Sequence, residues 1–264
     1  MEHKEFYDDP AGYVLTLNYS DYKSNCDFFE WCFLHHSNLK TKENIFLDIC
    51  AGPAFHALEF SRRNWKAYAL DLSESMRDFA VSTAQKEAIL LNYYIGDMKQ
   101  FVLPEKVSLS VTFDNSISHI LTNEDFIMHL NSVRENTVPG GIYIIDFAHP
   151  RLFFPLSNPG VWKAHDNDTE IEMIVSMPDD HYDTVTQIWD MTFKTITQKN
   201  GNIIRTAESI MKQRYYLTQE LKALFMLSGI VEQFTFYGSH YLPPIPLTHG
   251  DESISMTVVL KFKE

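Results

Sequence analysis

From Ile45 to Phe147 the chain repeats one rhythm, an apolar run, a turn, and a stretch with helical spacing. Ile45-Phe46-Leu47-Asp48-Ile49 is a short apolar run closed by a turn, as in a strand buried on both faces. The spacing predicts a helix over 54–63, a second strand over 66–71 and a helix over 73–88. Ser73 is placed to cap that helix, with Glu74 in its first turn. A third strand (91–95), a fourth (107–113), a helix (123–136) and a fifth strand (141–147) follow. Pro139-Gly140-Gly141 reads as the turn that sets off the fifth strand. Strands alternating with helices require an α/β fold, a doubly wound and mostly parallel sheet with helices on both faces.

The flanking segments differ. Residues 1–44 are rich in Tyr and Phe and read as N-terminal helices forming a lid, with Phe28, Trp31, Cys32 and His35 at helical spacing. Residues 151–213 break the α/β rhythm. Val185 to Lys194 alternates, Asn200-Gly201 is a two-residue hairpin signal, and Ile203 to Tyr216 alternates again. Glu170 to Met177 is a weaker strand, so this region reads as an inserted antiparallel β meander. The α/β core is then 45–150 and 214–264. Its last part holds a helix capped by Thr218 and ended by Gly229, then strands 230–237 and 255–262. With no helix between them, those two strands are expected to pair antiparallel, which makes the C-terminal strand antiparallel to the sheet.

Composition narrows the partners. A formal net charge of −13 repels phosphate backbones and anionic lipid surfaces, so neither nucleic acid nor membrane is expected as a partner. Cys26, Cys32 and Cys50 form no CxxC pair, and an odd count of unclustered cysteines fits a reducing compartment. Met1 to Asp9 is acidic, without the apolar core of a signal peptide, and a cytoplasmic location is expected. Asp179-Asp180-His181 with Asp183 falls in an expected hairpin turn and reads as a solvated loop, and no metal site is expected.

The turn after the first strand carries the first chemical signal. Cys50, Ala51, Gly52 and Ala54 are all small, and a helix begins directly behind them. Small residues let a ligand approach the backbone, and the helix N-terminus favours an anionic group. Small residues at a tight turn also serve packing alone. Asp71, at the end of the second strand, adds a carboxylate able to accept both hydroxyls of a ribose. Turn and acid together favour a nucleoside in a Rossmann-like cleft. A nicotinamide cofactor would call for G-x-G-x-x-G, and the third glycine is missing. Gly96-Asp97-Met98 ends the third strand, with an acid and a thioether where an adenine ring would lie.

These segments in this order resemble the class I S-adenosylmethionine-dependent methyltransferases. Leu47 to Ala54 is similar to their D-x-G-x-G-x-G motif, Leu70 to Met76 to their second motif, and Pro139-Gly140-Gly141 to their turn before strand five. The resemblance covers about 45–147 and 214–262. It implies S-adenosylmethionine as cofactor, with S-adenosylhomocysteine as product. By the same resemblance Asp48 and Gly52 would sit by the methionine part, with Cys50 and Ala51 of the same turn also cofactor-binding, and Asp71 would hold the ribose, with Leu72 and Met76 nearby. Asp97 and Met98 would contact adenine, and Asn115 would line the cleft near the sulfonium, with Ser116 beside it also cofactor-binding. Cys50 and Ala54 depart from the family's glycines. They are expected to be tolerated where φ stays negative, with a shifted cofactor pose as the alternative. The insertion resembles that of small-molecule N-methyltransferases, including the amino-sugar type, where it roofs the acceptor pocket or joins two copies. A homodimer through the insertion is therefore an expectation. The residues Trp162, His165, Trp189 and Arg205 carried there read mostly as packing.

Methyl transfer is an in-line displacement, to which the protein contributes alignment, water exclusion and a base. The site lies beyond the carboxyl ends of the strands. That singles out His149 after strand five as the first choice for a base, then His119 after strand four. Tyr19 or Tyr22 is expected over the sulfonium, since an aromatic face attracts a cation. The expected activity is methyl transfer to a small-molecule acceptor, an amine or amino acid. Two alternatives stand beside it: intramolecular cyclisation of the cofactor with release of methylthioadenosine, and a non-catalytic cofactor-binding interaction protein.

Overall fold

The computed structural model of the chain describes residues 2–4, 6–16, 21–39, 44–152, 160–166 and 168–264. Its contacts divide it into two units, 1–21 with 152–214 and 22–151 with 215–264. The chain opens in the smaller unit with β1 (Glu2–Lys4) and α1 (Pro10–Thr16). The larger unit begins at α2 (Tyr22–His36) and runs through β2 (Ile45–Ile49), α3 (Phe55–Arg62), β3 (Lys66–Asp71) and α4 (Glu74–Lys86). It continues through β4 (Asn92–Ile95), β5 (Val107–Thr112), α5 (Asn123–Glu135) and β6 (Thr137–Phe147). The smaller unit resumes with β7 (Gly160–Asp166), β8 (Thr169–Val175), β9 (Tyr182–Asp183), β10 (Ile188–Lys199) and β11 (Asn202–Arg214). The larger unit closes with α6 (Thr218–Ser228), β12 (Val231–Tyr237) and β13 (Met256–Phe262).

Among the described residues the larger unit holds a seven-stranded sheet in the order β12-β13-β6-β5-β2-β3-β4. Strands β2 to β6 pair in parallel, and only β13 runs against them, as the helix-free connection to β12 requires. Every residue of β2 and of β5 is buried, as central parallel strands demand. Strand alternation divides the core. Ile45, Leu47 and Ile49 pack with Phe126, Leu130 and Val133 of α5 and with Leu221, Leu224 and Phe225 of α6. Phe46 faces the other way, onto Phe28, Phe29 and Cys32 of α2 and onto Ala57 and Phe60 of α3. Asp48 shares the face of Phe46, so its carboxylate points at α2 and α3. Ser73 caps α4 as its position implied, accepting the Met76 N–H at 3.2 Å.

Several local expectations change. Pro139-Gly140-Gly141 is not a turn ahead of a strand but a bulge inside β6, where the register with β5 shifts. Gly140 has φ +84, and a Cβ there would lie 3.0 Å from the backbone of Asn38. The cap of α6 is Leu217, not Thr218; Glu220 reaches back to the Leu217 N–H at 3.2 Å, and Gly229 ends the helix at φ 70. On α2, Phe28 and Cys32 are buried but His35 is exposed, stacked on Trp31 with ring centroids 4.1 Å apart.

In the smaller unit the sheet runs β1-β11-β10-β8-β7, with β9 on β10. Asn200 and Gly201 both take positive φ (50° and 75°), which forms the two-residue turn between β10 and β11. Strand β10 begins at Ile188, so Val185 lies in the preceding turn rather than on the strand, 89% exposed. The segment 1–21 belongs with this sheet rather than with α2. Strand β1 pairs with β11, and buried Asp9 bonds Arg205 at 2.5 Å. Phe6 lies against Tyr13 at 5.7 Å and Phe193 at 5.4 Å between centroids. The division at residue 44 drawn from the sequence is therefore replaced by one near residue 21. Asp180 and Asp183 serve local turns, accepting N–H groups of Met177, Thr192 and Val185. Among the described residues no helix is long and apolar enough to cross a membrane.

Candidate functional site

The carboxyl ends of the five parallel strands each present an aspartate. Asp48 is on β2, Asp71 ends β3, Asp97 follows β4, Asp114 follows β5 and Asp146 is on β6. Between β2 and α3 the chain turns through Cys50 (φ 58°), Gly52 (φ 50°) and Ala54 (φ 57°), all left-handed. The condition of negative φ, under which Cys50 and Ala54 would be tolerated without strain, is therefore not met. An L-residue there costs roughly 1–2 kcal/mol, so the turn keeps a glycine-like path under strain.

The surrounding bonds hold that path. Ala51 N–H donates to the Leu70 carbonyl at 3.1 Å, and the Gly52 carbonyl accepts from Tyr93 Oη at 2.7 Å. Asp71 Oδ2 accepts the Gly52 N–H and Oδ1 the Ser73 N–H, each at 2.9 Å. The carboxylate proposed for a ribose thus first ties the β2–α3 turn to the start of α4. A carboxylate has about four acceptor sites, so two remain for ligand hydroxyls. Leu72 beside it is 67% exposed, whereas Met76 is 1% exposed and belongs to the interior. Asp97 Oδ1 accepts the Lys99 N–H at 2.8 Å. Met98 packs its sulfur 3.3 Å from Cys50 Sγ, and burial raises the Cys50 thiol well above its ordinary value.

Beneath the turn lies a polar cluster that the sequence did not announce. Asp48 is 2% exposed; it accepts the Ala57 N–H of α3, and its Oδ2 has no hydrogen-bond partner. Burial drives its carboxyl well above the usual range, with Asp114 and Asp71 adding to the effect. His56 Nδ1 stands 3.8 Å from that Oδ2, and its Nε2 accepts from Asn25 Nδ2 at 3.2 Å. Burial lowers His56 to about 3, so its imidazole is neutral. Tyr22, from α2, lies against Phe55 (4.7 Å) and His56 (5.1 Å), directly beside the turn. Tyr19 lies outside the described residues.

After β5, Asp114 and Asn115 both have positive φ (50° and 56°). Asn115 Oδ1 accepts the Ala148 N–H at 3.0 Å, and its own N–H bonds Asp146, so this turn is locked to the end of β6. Asp114 keeps solvent contact, yet the protein around it displaces enough water to raise its carboxyl to about 6. Asp146 is raised to about 8 by burial and by Asp114, against the bonds from Thr257 Oγ1 (3.0 Å) and Asn115. Ser116 and His119 bound a short 3-10 turn, both half-buried. His149 is not placed as a base. Its Nδ1 accepts the Arg151 N–H at 3.2 Å and its Nε2 donates to the Thr248 carbonyl at 2.8 Å. Both ring nitrogens are committed to pinning residues 148–151 against the loop near 248. The depression of the larger unit lined by Lys106, Arg134 and Gly140 lies at the opposite end of the sheet.

At this edge burial raises the carboxyls of Asp48, Asp114 and Asp146, so each would be stabilised in its charged form by a cation beside it. The unpartnered Oδ2 of Asp48 and the raised Asp114 and Asp146 suit a cationic ligand. The Gly52 turn, Asp71 and exposed Leu72 suit a nucleoside beside it. S-adenosylmethionine, which combines a nucleoside with a sulfonium and an ammonium, meets both demands. Among the described residues no group of His, Cys, Asp and Glu is arranged to hold a metal.

Comparison with known proteins points to the same cofactor. Residues 46–141 match the family model described as a methyltransferase domain. A Streptomyces venezuelae protein, dTDP-3-amino-3,4,6-trideoxy-alpha-D-glucopyranose N,N-dimethyltransferase, is 28% identical over 100 residues. That match covers 38% of this chain and 40% of the relative's length. An S-adenosylmethionine-dependent methyltransferase from Clostridium acetobutylicum superposes with TM-score 0.76 at 13% identity, covering 97% of this chain and 99% of that one. The S-adenosylmethionine-bound amino pentose methyltransferase CalS10 of Micromonospora echinaspora gives TM-score 0.71 at 14% identity, covering 99% of each chain. At such identities the two structures establish the fold. Residues 46–141 thus match a methyltransferase domain, within a chain that has the fold of S-adenosylmethionine-dependent methyltransferases.

Proposed function

We propose that the protein transfers a methyl group from S-adenosylmethionine to a nitrogen of a small-molecule acceptor. The observation that carries this reading is the carboxyl edge of the sheet, where burial raises the carboxyls of Asp48, Asp114 and Asp146 and leaves Asp48 Oδ2 without a hydrogen-bond partner. The relative named above acts on an amino sugar, and an amine borne on a sugar or a similar small molecule is the acceptor class we favour. When bound, the cofactor supplies an activated methyl carbon. The chain's residues supply the rest. Gly52 and Asp71 fix the nucleoside end, Asp97 and Met98 flank the base, and Asn115 and Ser116 line the cleft. Tyr22 screens the cationic end from water beside His56. His119, half-buried in the turn after β5, is a further candidate to contact the acceptor.

The net charge of −13 opposes nucleic-acid acceptors, and three cysteines without a disulfide suit a cytoplasmic location. Exposed Ile203, Ile204 and Ile210 on β11 favour pairing of two copies through the insertion. A monomeric mass in size-exclusion chromatography with light scattering would remove that part.

The direct test is incubation with S-adenosylmethionine and a panel of amino sugars, amines and amino acids, followed by mass spectrometry. Methylated amine with S-adenosylhomocysteine is expected. Cofactor consumed without an acceptor, releasing methylthioadenosine, would replace this reading with cyclisation. Cofactor bound but never consumed would leave a binding protein.

A further inference from the structure

Loop 238–255 leaves β12 at the carboxyl edge, because β12 runs in the same direction as β6. In the sheet order β12 stands three strands from β5, or about 14 Å at ordinary strand spacing. The loop nevertheless folds back across the edge. Its His240 lies against Phe113, the residue before Asp114, with ring centroids 5.3 Å apart and the rings at 81°. Phe113 in turn touches His56, which ties His240 to the cluster under the cofactor turn.

The hydrogen bonding of this imidazole sets it apart. His149 and His129 spend both ring nitrogens on the protein, and His56 Nε2 accepts from Asn25 while its Nδ1 stands 3.8 Å from Asp48 Oδ2. His240 Nδ1 is buried without a partner. Ring contacts to Phe113 and Tyr241 hold the side chain instead. A buried nitrogen without a partner costs about 1–3 kcal/mol. That cost is recovered when a ligand N–H faces it.

We propose that His240 accepts the proton that an amine acceptor must lose. The proposal rests on the methyl-transfer reading above. The acceptor's lone pair forms the N–C bond while the C–S bond of the cofactor breaks, its electron pair passing to sulfur. The resulting ammonium nitrogen gives one proton to Nδ1 of His240, and exchange with solvent returns the imidazole to its neutral form. Burial holds His240 below its ordinary value, so the ring is neutral and ready to accept at pH 7. Primary and secondary amines fit this role; a tertiary amine has no proton to give.

The test compares wild-type protein with His240→Ala and His240→Gln on the amine panel. We expect both variants to bind S-adenosylhomocysteine like wild type in calorimetry and to lose about 10²–10⁴-fold in kcat. Added imidazole should restore turnover to His240→Ala and not to His240→Gln, an effect that a packing role would not produce. Wild-type-like kcat in either variant, or a loss that imidazole does not relieve in His240→Ala, would overturn the proposal. Absence of turnover by wild-type protein would instead overturn the methyl-transfer reading, and the proposal with it.

Discussion

Cys50 and Ala54 occupy left-handed backbone at two positions where the related motif has glycine. Cys50 compensates through contact: its sulfur rests 3.3 Å from Met98, which joins the β2–α3 turn to the segment expected to face adenine. Replacement tests whether the path or the side chain matters. Cys50→Gly should bind S-adenosylhomocysteine about as well as the parent, because it relaxes φ and loses only the sulfur contact. Cys50→Val should lose roughly 1–3 kcal/mol of stability, since a β-branched residue tolerates that φ poorly. Urea unfolding and calorimetry of both variants check this; equal stability of the two would show that the turn is not strained. The turn and its acids were legible in the sequence because small residues and carboxylates recur at strand ends. The dihedrals were not, since a residue's identity sets a preference for φ rather than its value. His149 illustrates the same gap. Its place after β6 suggested a base, but its Nε2 partner is the carbonyl of Thr248, 99 positions away.

At the scale of elements, the alternating rhythm translated well, because parallel strands buried on both faces must be continuous apolar runs. What it could not show was the interior of β6. Gly140 and Gly141 read as a turn, yet they sit within a strand whose register shifts against β5. The Gly140 carbonyl accepts the Asn38 N–H at 3.0 Å, anchoring the chain just after α2 to the start of the central sheet. Gly140→Ala would combine φ +84 with a methyl 3.0 Å from the Asn38 backbone. We expect a loss of about 1–3 kcal/mol, read as a lower urea midpoint with an unchanged m-value. Gly201→Ala is the matched comparison, with φ +75 but open space around its Cβ, and should lose less. The N-terminal segment was misdivided for a related reason. Aromatic richness is common to α1 and α2, and it is the pairing of β1 with β11 and the bond from Asp9 to Arg205 that reveal which sheet the first residues serve.

For the whole molecule, the acids at the carboxyl edge couple stability, pH and ligand charge. Folding raises Asp146 to about 8 and Asp114 to about 6, so the folded chain binds their protons more tightly than the unfolded chain does. The stability they contribute is full below a pH of about 4 and is lost as pH rises through those values. Asp146→Asn, which mimics the protonated acid, should therefore gain on wild type as pH climbs from 5 to about 9. Parallel unfolding midpoints at both ends of that range would check it, and a constant difference would refute the coupling. The same acids bear on discrimination between cofactor and product. S-adenosylmethionine carries one more positive charge than S-adenosylhomocysteine, and it meets this edge within a chain of net charge −13. Screening shortens from about 10 Å at 0.1 M salt to about 3 Å at 1 M, which removes the longer-range part of that attraction. Calorimetry across that range should show the cofactor weakening more than the product, so that their affinity ratio falls. If both weaken equally, the carboxyl edge does not read the sulfonium charge, and the raised acids answer only to burial.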